Sequence, residues 1–146
     1  MAGSWIASHL WTQYEFTQDK QYLAETAYPL LKGNAQFILD FLAKDPKSGY
    51  LMTGPSISPE NWFRTAGGEE MVASMMPACD RELAYEILSN CVRASEILDT
   101  DREFADSLRT AIAQLPPIQL RANGAIREWF EAVSYTHLRA HETLAN

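Results

Sequence analysis

Phe16-Thr17-Gln18-Asp19-Lys20-Gln21-Tyr22 and Leu98-Asp99-Thr100-Asp101-Arg102-Glu103-Phe104 resemble each other across 82 positions of chain. In both, an amphipathic helical pattern stops, a short polar turn follows, and an Asp-cation-polar-aromatic string opens the next helix. Asp19 is suited to an N-cap. Thr100 with Glu103 has the spacing of a capping box. On either side the apolar period is helical. Trp5, Ile6, His9, Leu10 and Trp11 fall on one broad face of the first helix. Tyr28, Leu31, Ala35, Ile38, Leu39 and Leu42 form a stripe through the next, with Pro29 fitted to its first turn. Leu83, Ile87, Leu88, Cys91, Ala94 and Leu98 lie in register over 80–98, and Phe104, Leu108, Ala111, Ile112 and Leu115 over the helix after it. Two αα-hairpins stack in this way in solenoids and α/α toroids, but two are too few to close either. The expected fold is therefore all-α and a piece of a larger assembly.

Between the hairpins the pattern changes. Asp45-Pro46-Lys47-Ser48-Gly49 is a turn, Tyr50–Thr53 is strand-like, Gly54–Asn61 reads as a rigid loop, and Arg64–Glu70 as a flexible connection. Pro116-Pro117 stops the last helix. Asn123-Gly124, between Ile118–Leu120 and Ala125–Trp129, predicts a short β-hairpin near the C-terminus.

Composition narrows the function without naming it. The 146 residues are 47% hydrophobic and carry a formal charge of −7, which argues against nucleic-acid binding and against a basic membrane-surface segment. No apolar run reaches the roughly 18 residues of a transmembrane helix, and the first residues lack the basic start of a secretory signal. Cys79 and Cys91 form no disulfide framework and lack metal-ligand spacing, so reduced and buried thiols are expected.

One string is more specific than the rest. Pro55-Ser56-Ile57-Ser58-Pro59-Glu60-Asn61 is preceded by Trp5…His9-Leu10-Trp11…Tyr14…Thr17-x-Asp19 and Tyr28-Pro29-Leu30-Leu31-Lys32-Gly33…Phe37. It is followed by Leu115-Pro116-Pro117, Asn123-Gly124 and Glu128-Trp129. Together these resemble an internal stretch of the glycoside hydrolase family 95 catalytic domain, over roughly residues 1–131. Members of that family are mostly α-L-fucosidases on an (α/α)6 barrel of the six-hairpin type. The resemblance implies an inverting α-L-fucosidase that needs no metal or organic cofactor and acts on an oligosaccharide or glycan. Two other readings stay open on the residues: another six-hairpin glycosidase with Glu60 as acid for a different sugar, and a non-catalytic helical-repeat binding module in which Glu60 is a helix cap. It further implies bacterial origin and a periplasmic or extracellular location. The other partner it implies is the remainder of the same catalytic domain.

Glycoside hydrolysis by inversion needs one carboxylic acid to protonate the leaving oxygen, and a second carboxylate roughly 6.5–9.5 Å away to activate water. Glu60 holds the motif position of the family's general acid, and Pro55 and Pro59 stiffen its loop. Locally, Ser58-Pro59-Glu60 reads equally well as a helix opening, with Ser at N-cap and Pro at N1. The family's base, an Asp in a later Asp-Gly-Asn-Phe-Gly motif activated by an earlier Asn-x-Asn pair, has no counterpart here. Neither Asn34 nor Asn90 lies in such a context. Asn61, Trp5, His9 and Asp80 are candidate substrate contacts, each with an ordinary packing or capping alternative; Trp62 and Phe63 are candidates for an apolar wall.

The end of the chain departs from the family. Where an Arg-His-x-Ser-His-Leu motif is due, Val133-Ser134-Tyr135-Thr136-His137-Leu138-Arg139-Ala140-His141-Glu142-Thr143 resembles translated sequencing-library adapter. The expected division is thus a partial catalytic domain over 1–133 and a non-native tail over 134–146. His137 and His141 are four apart, but Glu142 follows the second His rather than the first, so no metal site is assigned.

Overall fold

The structure, a computed structural model, describes residues 1–59, 61–131 and 135–136. Six helical segments, five α and one π, and seven two-residue strands are described among them. The first hairpin pairs α1 (Ala2–Thr17) with a long helix built from α2 (Lys20–Tyr22), a π-helical turn (Leu23–Ala27) and α3 (Tyr28–Phe41). The second pairs α4 (Ala78–Leu98) with α5 (Arg102–Ala113), and α4 packs against both α1 and α3. Leu23, Leu31, Ile38, Ile87, Leu88, Cys91 and Leu108 are fully buried in the one core these helices share.

The stripes of α3 and α4 are those the periodicity predicts: Tyr28, Leu31, Ala35 and Ile38 on one, Leu83, Ile87, Leu88, Cys91 and Ala94 on the other. The face of α1 is rotated from the expected one. Its buried residues are Ser4, Ala7, Ser8, Trp11 and Tyr14, while Trp5 and Ile6 are 57% and 71% exposed and His9 is exposed. Small residues let the helix backbones approach closely, so packing takes the Ser/Ala strip together with Trp11 and Tyr14 and leaves Trp5 and Ile6 outside.

Asp19 caps as expected, accepting from the Gln21 and Tyr22 amides at 2.9 and 3.0 Å. Pro29 lies in the first turn of α3, as expected, but does not start the helix there. The chain is already helical, and the widened turn immediately before Pro29 falls where its ring would otherwise meet the Glu25 carbonyl. The Thr100–Glu103 capping box also does not form. Asp101 is the N-cap residue of α5 but makes no cap bond; its Oδ2 instead accepts from the Tyr28 hydroxyl at 2.8 Å and Lys32 Nζ at 2.6 Å. That interaction ties the second hairpin's turn to α3, and it holds the Asp101 carboxyl below the usual carboxylate range, chiefly through Lys32.

Between the hairpins lie three small antiparallel pairings. β1 (Ala43–Lys44) pairs with β2 (Leu51–Met52) around the Asp45–Gly49 turn, in which Asp45 Oδ2 accepts from the Ser48 amide and hydroxyl at 2.7 and 2.6 Å. β3 (Ser56–Ile57) pairs with β6 (Ala73–Ser74). β4 (Phe63–Arg64) pairs with β5 (Glu70–Met71), so the stretch expected to be a flexible connection is a hairpin, closed by Thr65 N–H to Glu69 O at 2.9 Å and an Arg64–Glu70 ion pair at 2.7 Å. β7 (Tyr135–Thr136) adds to the other edge of β4. The predicted C-terminal hairpin is present: Leu120 bridges Ile126, Arg127 N–H reaches Gln119 O at 2.8 Å, and Gly124 takes φ 85° at the turn, a conformation that favours glycine.

Candidate active site

The loop after β2 is anchored at both ends, and its anchors come from distant parts of the chain. At its start, Thr53 is fully buried and donates its hydroxyl to Asp80 Oδ2 at 2.8 Å. The same hydroxyl lies 3.3 Å from Met76 Sδ, but it has one proton and the carboxylate is the stronger acceptor. Thr53 O also accepts from the Met76 amide at 2.9 Å. Asp80 sits in the first turn of α4, 2% exposed, so this bond joins the loop to the start of that helix. Gly54 follows with φ 155°, a conformation that side-chain-bearing residues rarely adopt, and with its Cα close enough that a Cβ would lie 3.3 Å from Met75 Cα and displace the Met75 side chain. The Gly54-Pro55 peptide is cis. β3 then pairs with β6.

At the far end, the Ser58 hydroxyl donates to Glu128 Oε1 and accepts from Asn61 Nδ2 at 3.1 Å, while Asn61 N–H donates to Ser58 O at 3.2 Å. Ser58 is 3% exposed. These bonds join Ser58 to Asn61, and β4 begins at Phe63. The helix opening that Ser58-Pro59 permits is not what the chain makes: Asn61 and Trp62 are not helical, and the Ser58 oxygen accepts from the Asn61 side chain rather than capping a helix. Glu128 itself is held by its backbone, whose carbonyl accepts from the Ala78 amide, the first residue of α4, at 2.9 Å. Next to it, Trp129 is 1% exposed with its ring 4.7 Å from that of Phe63. Phe63 is thus packed against Trp129 rather than forming an open wall. Trp62 is half-buried and lies under the Arg64 guanidinium, 5.9 Å from the ring centre.

Glu60 lies outside the described residues, as do 132–134 and 137–146, including His137 and His141. Its sequence neighbours Pro59 and Asn61 are described, and Asn61 is bonded to Ser58. Asp80 is brought under the same loop. Trp5 and His9 stand exposed on α1 and, among the described residues, share no hydrogen bond with Ser58, Asn61 or Asp80. Thr53 and Glu128 are the residues that local reading misses. Each bonds across a sequence gap, 27 and 70 positions, that no local pattern spans. Of the two, Glu128 had a signal, since Glu128-Trp129 is part of the family resemblance.

Half-buried Cys79 lies beside Asp80; desolvation, with the negative charges of Asp80 and Glu128, pushes its thiol up. Cys91 is buried in the core and pushed up to about 12 by desolvation. Both are free thiols. Among the described residues no group of three His, Cys, Asp or Glu side chains could hold a metal ion, and no helix is long and apolar enough to cross a membrane.

The glycosyl hydrolase family 95 catalytic domain matches residues 1–143. The chain belongs to that family. Over 132 residues this family 95 segment is 39% identical to alpha-L-fucosidase 2 of Arabidopsis thaliana, covering 90% of the chain and 16% of the relative. It is 30% identical over 132 residues to the probable alpha-fucosidase A of Aspergillus niger, covering 87% of the chain and 16% of that protein. The segment thus spans about one-sixth of the length of these curated relatives. The family match runs past residue 133, where the expected tail begins, as far as residue 143.

Proposed function

We propose that this segment contributes the general acid to an inverting α-L-fucosidase, with Glu60 as the acid and the base supplied by another part of the same catalytic domain. The observation that carries the reading is the Pro55–Asn61 string, on a loop held at both ends, in a chain of family 95. Protonating a glycosidic oxygen requires a carboxyl group placed to within a few tenths of an ångström, and such placement needs a rigid supporting shell. Thr53, Gly54, Ser58 and Glu128 are suited to supply it. Asn61 belongs to the same turn and is suited to a sugar hydroxyl. Trp5 and His9, exposed on α1, are available to a sugar brought there by the rest of the domain. Asp80 is covered by Thr53 and acts on substrate through the loop it anchors. The substrate is a glycan, which fits a periplasmic or extracellular setting.

The test uses the complete catalytic domain and the 146-residue chain side by side. The complete domain releases fucose from α-L-fucosides, and NMR of the first product shows the β-anomer, as inversion requires. The isolated chain shows no turnover. Release of the α-anomer first would remove the inverting mechanism, and absence of fucose release by the complete domain would remove the substrate assignment.

A further inference from the structure

We propose that Glu128 is a positioning residue for the catalytic acid, acting through the Ser58 hydroxyl on the turn that carries position 60. The proposal rests on the reading of Glu60 as the acid and adds to it the group that holds the acid in place.

The geometry is that of a clamp with a fixed jaw. The fixed part is the Glu128-Trp129 segment: its backbone is bonded to the first residue of α4 and its tryptophan is buried against Phe63. The part it holds is Ser58. Ser58 is joined to Asn61, on the other side of position 60 in the sequence, by two bonds: its carbonyl accepts from the Asn61 amide and its hydroxyl oxygen accepts from the Asn61 side chain. A hydroxyl has one proton and two lone pairs. With a carboxylate at Glu128 the proton points to Glu128 and a lone pair is left facing Asn61 Nδ2, so one acceptor fixes the direction of both bonds. Without it the hydroxyl is free to rotate, Ser58 is a buried polar group lacking its acceptor, and the turn loses its tie to the frame. The start of the loop is unaffected, because Thr53–Asp80 and the β3–β6 pairing are separate anchors. A loss at Glu128 is therefore confined to the end bearing Glu60.

The experiment uses the complete catalytic domain, with an alkyl α-L-fucoside and an aryl α-L-fucoside whose leaving group needs little protonation. Glu128→Ala lowers kcat on the alkyl substrate by about 10²-fold, the scale of a small misplacement of a reacting group. KM changes little, and the aryl substrate is much less affected. Glu128→Gln, which keeps an acceptor for Ser58, restores most of kcat. Ser58→Ala gives the same signature and carries the test if Glu128→Ala does not fold. Combining the two changes is no worse than the more severe one alone. Equal losses on both substrates, a loss mainly in KM, no rescue by Gln, or a silent Ser58→Ala overturns the positioning role. In those cases Glu60→Gln still showing a leaving-group-dependent loss leaves the acid reading intact. If Glu60→Gln instead lowers both substrates equally, the acid reading falls and the positioning role falls with it.

Discussion

Thr53→Val removes a single hydroxyl from the loop anchor while keeping the β-branched shape. The Thr53 side chain is fully buried, its partner Asp80 is 2% exposed, and the bond between them is 2.8 Å long. Removing the donor leaves a buried carboxylate without that partner. A hydrogen bond to a charged group contributes about 1.5–3 kcal/mol, and the stranded acceptor keeps its desolvation cost. The thioether of Met76, 3.3 Å away, loses only a weak contact. The expected destabilisation of the 146-residue chain is therefore about 2 kcal/mol, read as a fall in the urea midpoint with an unchanged slope, using tryptophan fluorescence. Asp80→Leu combined with Thr53→Val should cost less than the sum of the two single changes by about 1 kcal/mol or more, because no buried acceptor remains unpaired. A Thr53→Val variant within about 0.5 kcal/mol of wild type, the range of uninvolved surface changes, would show that the loop is not held at this point.

Asp101 has a carboxyl held low by Lys32 and Tyr28, so the stability it adds is fully present above the ordinary carboxylate range and is lost as pH falls through its lowered folded value. The gap in melting temperature between wild type and Asp101→Asn should accordingly be wide at pH 7 and narrow as pH falls below the ordinary carboxylate range; a gap independent of pH would contradict that role. Cys91, buried and pushed up to about 12, should resist iodoacetamide in the native chain at pH 8, whereas half-buried Cys79 should alkylate first. Peptide mapping distinguishes this order from its reverse. Truncation after residue 133 should alter the urea midpoint by no more than about 0.5 kcal/mol equivalent if 134–146 is not evolved sequence; a loss of several kcal/mol would make the β4–β7 pairing part of the native fold.

Where one face of a helix is buried by large side chains, the periodicity finds it: the stripes of α3 and α4 were legible, though Leu39, Leu42 and Leu98 are only partly buried and α4 also buries Ala84 and Val92. The face of α1 was not, because Ser4, Ala7 and Ser8 contribute close approach rather than bulk. Reading hydrophobicity alone selects Trp5 and Ile6 instead. The second hairpin's turn was misread for a different reason: Lys32 and Tyr28, about 70 positions away, compete for Asp101. The candidate site divides the same way. Its motif is contiguous and can be read directly, whereas the bonds that hold it, Thr53 to Asp80 and Ser58 to Glu128, exist only once the chain is folded. Ser58 makes the point most clearly: the same Ser-Pro pair is suited to open a helix, and its hydroxyl instead bonds to Asn61 and to Glu128, 70 positions away.

The account stands on Glu60 as a proton donor, and the dependence of rate on leaving group tests that most directly. In the complete catalytic domain, Glu60→Gln keeps the size of the side chain and cannot give up the proton. The account predicts a loss of about 10²–10⁴-fold in kcat/KM for α-L-fucosides with poor leaving groups and a much smaller loss for those whose leaving group needs little protonation. Equal losses across the series, or none, would contradict it.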